Sequence, residues 1–227
     1  TLIPRAGTIT VHVHDLNRDG RDDLIALMAA GRECVSIQLN RGGGRFEETV
    51  QLERHPAWGH SHLELVDFNE DGHLDLLITN GDNADFIPAT HKPWHGVRIH
   101  LNDGQGRFIE DYFFPQHGAY CARAADFDLD GDLDIVSIAY FPDYENRPGD
   151  TAVYLENLGN LRFRPHTLPA HDTGRWITLD AGDLDGDGDP DLVLGAFNDG
   201  PSKPSNKILD RWNASPTPIL ILENTTR

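Results

Sequence analysis

Apolar and polar residues alternate along much of the chain. In ITVHVH from Ile9 and HLELV from His62 every second side chain is apolar, the period of a strand with one covered face. Short apolar runs follow at LIALMA, LLIT, IVSIA and LVLGA, as expected for strands covered on both faces. Next come VSIQLN, VRIHLN or VYLEN, a turn bearing Gly or Asn, and a strand opening with Arg-Phe. No stretch keeps a helical period for long. The pattern therefore predicts short antiparallel strands in groups of four.

The grouping is a repeat. Between the first two strands of each group stands an acidic segment: DLNRDGRDDL from Asp15, DFNEDGHLDL from Asp67, DFDLDGDLDI from Asp126 and DLDGDGDPDL from Asp183. All four fit D-x-[DN]-x-D-G-x-x-D followed by Leu or Ile. A second marker follows in SIQLNRGGGRF, RIHLNDGQGRF and VYLENLGNLRF, and the chain ends on LILENTTR. From the first Asp to the marker Phe is 31, 41 and 37 residues, and from that Phe to the next acidic segment 21, 18 and 20. The insertions thus sit between the acidic segment and the second marker. Four strands per unit of about 50 residues predict an all-β fold, a β-propeller of four four-stranded blades. The blades fall at approximately 8–52, 60–114, 119–168 and 175–227 of a single domain. The fourth unit lacks a last strand, and TLIP at the N-terminus resembles the HTLPA segment that closes the third. Residues 1–5 could close the ring, or the chain could be an arc of a larger one.

Charge adds the chemistry. The chain of 227 residues carries a formal net charge of −18, which argues against nucleic acid or an anionic membrane surface as partner. No apolar run approaches the length of a membrane span. Each acidic segment offers side-chain oxygens at positions 1, 3, 5 and 9, a Gly at position 6 for the turn, and a backbone carbonyl at position 7. Hard oxygen donors at this spacing wrap one hard cation, and a chain-wrapped shell favours Ca²⁺ over Mg²⁺. The expected ligands are Asp15, Asn17, Asp19 and Asp23; Asp67, Asn69, Asp71 and Asp75; Asp126, Asp128, Asp130 and Asp134; and Asp183, Asp185, Asp187 and Asp191. Arg21, His73, Asp132 and Asp189 would serve through the backbone carbonyl. An EF-hand is excluded, since position 12 holds Ala26, Ile78, Ser137 and Leu194 instead of Glu. Fourteen carboxylates are involved, and four Ca²⁺ would bring the net charge to −10.

These segments in their strand context resemble the FG-GAP or VCBS repeats of integrin-α-type β-propellers and of fungal and bacterial propeller lectins. The resemblance implies Ca²⁺ in the hairpin between the first and second strand of each blade. It leaves activity open, because similar propellers serve as adhesion modules, lectins, lyase scaffolds and appendages of secreted enzymes.

Strand direction puts the long insertions on the side opposite the acidic hairpins, where exposed loops on a rigid scaffold commonly bind ligands. Candidate ligand-binding residues there are His60, His62, His91, Trp94, His95, His117, Tyr120, Tyr140, Tyr144, His171, Arg175, Trp176 and Trp212, with Trp58 beside them. Aromatic rings suit a sugar, and His with Asp suits a transition metal. Cys34 and Cys121 stand far apart, with no CxxC or CxxCH motif, and are expected to pack as small apolar groups. The leading expectation is a secreted calcium-binding module for glycan or protein, extracellular or periplasmic, with a neighbouring module or oligomer as further partner. The alternatives are a polysaccharide lyase or hydrolase using His and Tyr, although no nucleophile motif or HExxH is present, and a structural module beside a redox or filament-forming partner.

Overall fold

The computed structural model describes residues 6–29, 31–83, 90–200 and 204–226. The strands among them form four antiparallel sheets, each a meander in chain order. The first sheet holds β1 (Thr8–His14), β2 (Asp23–Met28), β3 (Glu33–Asn40) and β4 (Phe46–Arg54). The second holds β5 (His60–Val66), β6 (Asp75–Asn80), β7 (Gly96–Asn102) and β8 (Phe108–Pro115). The third holds β9 (Ala119–Ala125), β10 (Asp134–Ala139), β11 (Ala152–Asn157) and β12 (Phe163–Thr167). The fourth has three strands: β13 (Trp176–Gly182), β14 (Asp191–Ala196) and β15 (Ile219–Leu222). One sheet per sequence repeat in an all-β chain is consistent with a propeller-like fold.

Packing explains why the second strand of each group reads as a continuous apolar run. Leu76 and Ile78 of β6 face Ile25, Leu27, Val35 and Ile37 of the first sheet. Leu77, between them, turns the other way, toward Ala122, Ile135, Val153 and Leu155 of the third. Both faces of β6 are therefore buried. A third cluster joins the third and fourth sheets through Val136, Ile138, Trp176, Leu179, Leu192 and Leu194. Cys34 and Cys121 are free thiols, both buried, and burial pushes both up from the ordinary thiol range.

The same irregularity recurs in the first strand of every sheet. The register between first and second strands slips at Thr8/Thr10, His60/His62, Ala119/Cys121 and Trp176/Thr178. One extra residue (Ile9, Ser61, Tyr120 or Ile177) bulges from the ladder there, which bends the strand and re-aims its side chains.

The first strands meet one another across sheets, β5 with β9 and β9 with β13. Their polar groups bond directly: Arg123 on β9 donates to Asp180 on β13 at 3.0 Å and to His62 on β5 at 2.6 Å. Ser61 Oγ donates to the Ala119 carbonyl at 2.9 Å.

Among the described residues no apolar cluster joins the fourth sheet to the first. Instead Ile9, Val11 and Val13 on β1 are 48%, 54% and 62% exposed, and Ile219 and Ile221 on β15 are 65% and 59% exposed. The expected closing strand at 1–5 lies outside the described residues. The insertion before β15 differs from the all-strand expectation, because it holds the helix α1 (Asn206–Ala214). Nine residues carry too little helical period to stand out in a sequence. The helix is anchored by Trp212, which is 2% exposed and donates from Nε1 to the Asp172 carbonyl at 2.9 Å.

Candidate functional site

The four acidic segments fold alike. In each, the N–H of the position-6 Gly (Gly20, Gly72, Gly131 or Gly188) donates to Oδ2 of the position-1 Asp, at 2.8, 2.8, 3.1 and 3.2 Å. The position-5 N–H donates to the position-3 Oδ1 of Asn17, Asn69, Asp128 or Asp185. The N–H of Arg21, His73, Asp132 or Asp189 donates to the position-5 Oδ1. This ladder of Asx turns winds the backbone around its own carboxylates. Its glycines need their freedom at position 6, where φ is +86° for Gly20, +83° for Gly72, +98° for Gly131 and +100° for Gly188.

Position 9 has a second task. Asp23, Asp75 and Asp134 are 0% exposed and Asp191 2%. Their Oδ2 accepts from the position-2 N–H of Leu16, Phe68, Phe127 or Leu184, at 3.1, 2.9, 3.1 and 2.8 Å. Their Oδ1 accepts from the N–H of Asn40, Asn102, Asn157 or Asn224, at 2.7, 2.8, 2.7 and 2.8 Å. The same Asn returns a bond from its Nδ2 to the position-8 carbonyl of Asp22, Leu74, Leu133 or Pro190. Its Oδ1 then accepts the N–H of Gly42, Gly104, Gly159 or Thr226 in the next turn. An Asp–Asn clamp thus ties each acidic hairpin to the end of the third strand. Sequence reasoning saw the Asn only as a marker, because its distance from the Asp changes with each insertion.

Asp134→Ala leaves the buried Phe127 and Asn157 N–H groups and the Tyr154 hydroxyl, which donates at 2.8 Å, without this acceptor. We expect a loss of about 3 kcal/mol in urea unfolding, from unsatisfied groups at ~1–3 kcal/mol each. An unchanged midpoint would remove the clamp's energetic role.

The hairpins have donors to spare. Asp126, Asp128 and Asp134 bring carboxylate oxygens within 4.8 Å of one another, and so do Asp183, Asp185 and Asp191. The first two hairpins have Asn17 and Asn69 in the corresponding place, an amide oxygen for a carboxylate. Oδ1 of Asp67 and of Asp126 is buried with no hydrogen-bond partner, and so are both carboxylate oxygens of Asp189. Loss of solvent and the facing Asp187 hold the Asp189 carboxyl above the usual range, and loss of solvent does the same at Asp75 and Asp134. Buried carboxylate oxygens without donors fit a hard cation. Asp189 was expected to contribute only its carbonyl, so its side chain is an addition to that set.

The opposite side corrects several expectations. Trp176 and Arg175 are 0% and 1% exposed, and His60, His95, Tyr140 and Trp212 are buried as well. Burial makes them packing groups of the loops and not a free surface. Trp176 donates to the His171 carbonyl at 2.8 Å, and the Tyr140 hydroxyl donates to that of Asp199 at 2.5 Å. His171 turns its Nδ1 to the Leu168 carbonyl, and Tyr144 packs edge-on against Trp212. His62 lies on β5, where it meets Arg123. Half-exposed on the loop side are Trp58, Trp94, His117 and Tyr120, and His91 is 44% exposed. Trp58 and Trp94 stack at 6.2 Å, with the guanidinium groups of Arg54 and Arg98 at 5.0 and 4.7 Å from the Trp58 ring. His91 and His117 stack at 4.6 Å beside Asp143, a residue the sequence had not singled out. Burial, with His91 facing it, lowers His117.

Four sheets, each carrying one acidic hairpin clamped to its third strand, make a repeat protein consistent with a propeller-like fold. Residues 6–78 and 138–194, more than half of the chain, match the FG-GAP-like repeat family, and the chain belongs to that family. No curated protein matches it. The third hairpin, Asp126–Asp134, lies between the matched segments and has the same ladder and clamp as the others.

Proposed function

We propose that the chain is a calcium-stabilised β-propeller module that presents its loop side to a glycan or protein. The observation carrying the calcium reading is the set of buried, unpartnered carboxylate oxygens inside the hairpins, on Asp67, Asp126 and Asp189. The side chains at positions 1, 3, 5 and 9 would hold the ion, which offsets the net negative charge of each hairpin; only the first has arginines of its own, Arg18 and Arg21. The Asx ladder fixes these groups before the ion arrives, so little ordering entropy is lost on binding.

On the other side, Trp58 and Trp94 under Arg54 form a half-exposed aromatic and cationic platform. Such a surface suits the face of a sugar ring or an acidic protein segment. The exposed apolar residues on β1 and β15 are where a neighbouring module or a second copy would pack. An extracellular or periplasmic setting supplies the calcium. Among the described residues no helix is long and apolar enough to cross a membrane.

Calorimetric titration of the chelator-treated protein with Ca²⁺ tests this reading. Uptake should approach four ions per chain and fall by about one in Asp126→Ala. Absence of uptake would overturn it.

A further inference from the structure

We infer that the loop side carries a second kind of metal site, a His₂Asp centre for a divalent transition cation, built from His91, His117 and Asp143. These residues come from three separate segments, and each offers a donor atom within 4.8 Å of the other two. His91 Nδ1 stands 3.4 Å from Asp143 Oδ2, long for a good N–H···O bond. Two donors held by one tetrahedral ion at bonds of about 2.0–2.1 Å lie about 3.3 Å apart, close to that separation. Two imidazoles and one carboxylate suit zinc and its first-row neighbours and leave at least one position for water or a ligand. The acidic hairpins, all oxygen, select the opposite class of ion.

The backbone holds the donors in place. His117 sits on the turn into β9, next to Gly118 at φ +69°, and a Cβ added there would overlap the Phe141 carbonyl. The Gly118 carbonyl accepts the Tyr140 N–H at 3.0 Å. The turn is thereby pressed onto the segment that leads into Asp143. Asp143 is 6% exposed, and its Oδ1 accepts the N–H groups of Glu145 and Asn146, which fixes the carboxylate. Its Oδ2 faces His91, with Asn146 Nδ2 also in reach at 3.0 Å. His117 Nδ1 is buried without a hydrogen-bond partner. Behind the cluster, His95 is 1% exposed and neither of its ring nitrogens is hydrogen-bonded.

An ion pair between His91 and Asp143 alone accounts for one histidine, but it leaves His117 stacked on a second imidazole with an idle buried nitrogen. A shared cation gives both rings and the carboxylate a partner.

The test uses the whole chain, stripped of transition metals and held in excess calcium so that the hairpins are filled. Titration with Co²⁺ at pH 7.5, followed by visible absorption, should show one ion per chain with a ligand-field band, displaced by Zn²⁺. His91→Ala changes an exposed side chain and should weaken Co²⁺ binding by ~10-fold or more, as should Asp143→Asn. His166→Ala, on another part of the surface, should leave it unchanged. If Asp143→Asn fails to fold, His91→Ala decides alone. No Co²⁺ uptake in calcium, or uptake unaffected by His91→Ala, would overturn the site. Neither result bears on calcium in the hairpins.

Discussion

Moving the protein from calcium into EDTA is expected to lower its thermal midpoint by ~20–40 °C. The size follows from mass action. An ion at about 100 times its Kd stabilises the folded state by about 2.7 kcal/mol. Four independent sites then contribute about 11 kcal/mol, and each kcal/mol moves the midpoint of a chain this long by ~2–4 °C. Without the ions, carboxylates already short of donors face one another across each turn. The fourth hairpin should loosen first: like the third it alternates five aspartates without a basic residue among them, and it also buries both carboxylate oxygens of Asp189 without a hydrogen-bond partner. Hydrogen exchange should therefore rise earliest at residues 183–189, and added salt should restore part of the loss by screening. Equal melting in EDTA and calcium would contradict the proposed role of the cation.

Acid should be the second strong perturbant, even with calcium present. Burial lowers His62 to about 3, aided by Arg123, which donates to its Nε2 at 2.6 Å. Burial also lowers His95 to about 3, with Lys92, His117, Arg98 and His91 as the neighbouring cations. Both rings are neutral when folded and take a proton in the unfolded chain below about pH 6.5. Their stabilisation is complete above that pH and is lost as pH falls toward 3. At pH 5 each costs about 2 kcal/mol, so the midpoint should drop by ~8–16 °C between pH 7 and pH 5. His62→Gln keeps an acceptor for Arg123 and cannot charge, and it should remove about 2 kcal/mol of the loss at pH 5. A midpoint indifferent to this pH interval would show that the two histidines are free to protonate without unfolding.

Much of the fold was legible because its signals are local. The register of Asp and Gly in the acidic segments, and the alternation of β1 and β5, arise within a few residues. The two-faced burial of β6 follows from the run at Leu76–Ile78. What the sequence hid depends on the return of distant chain. Trp176 and Trp212 look like ligand platforms when read in a loop, yet long insertions fold back and use such rings to cover the sheet ends. The helix α1 owes its place to one buried indole. Asp143 gains meaning only when the turn around Gly118 brings His117 beside it. The role of Asn157 was concealed by the variable insertion that separates it from Asp134.

The Asp–Asn clamp also separates two lengths that would otherwise be linked. It fixes the end of the third strand against the acidic hairpin, so the connection between second and third strands has no register to keep. That connection is 4, 15, 12 and 22 residues long in the successive sheets, while the clamp distances differ by only tenths of an ångström. New specificities can therefore be written into this side of the molecule by exchanging loops, in nature or at the bench, while the framework that carries them stays the same.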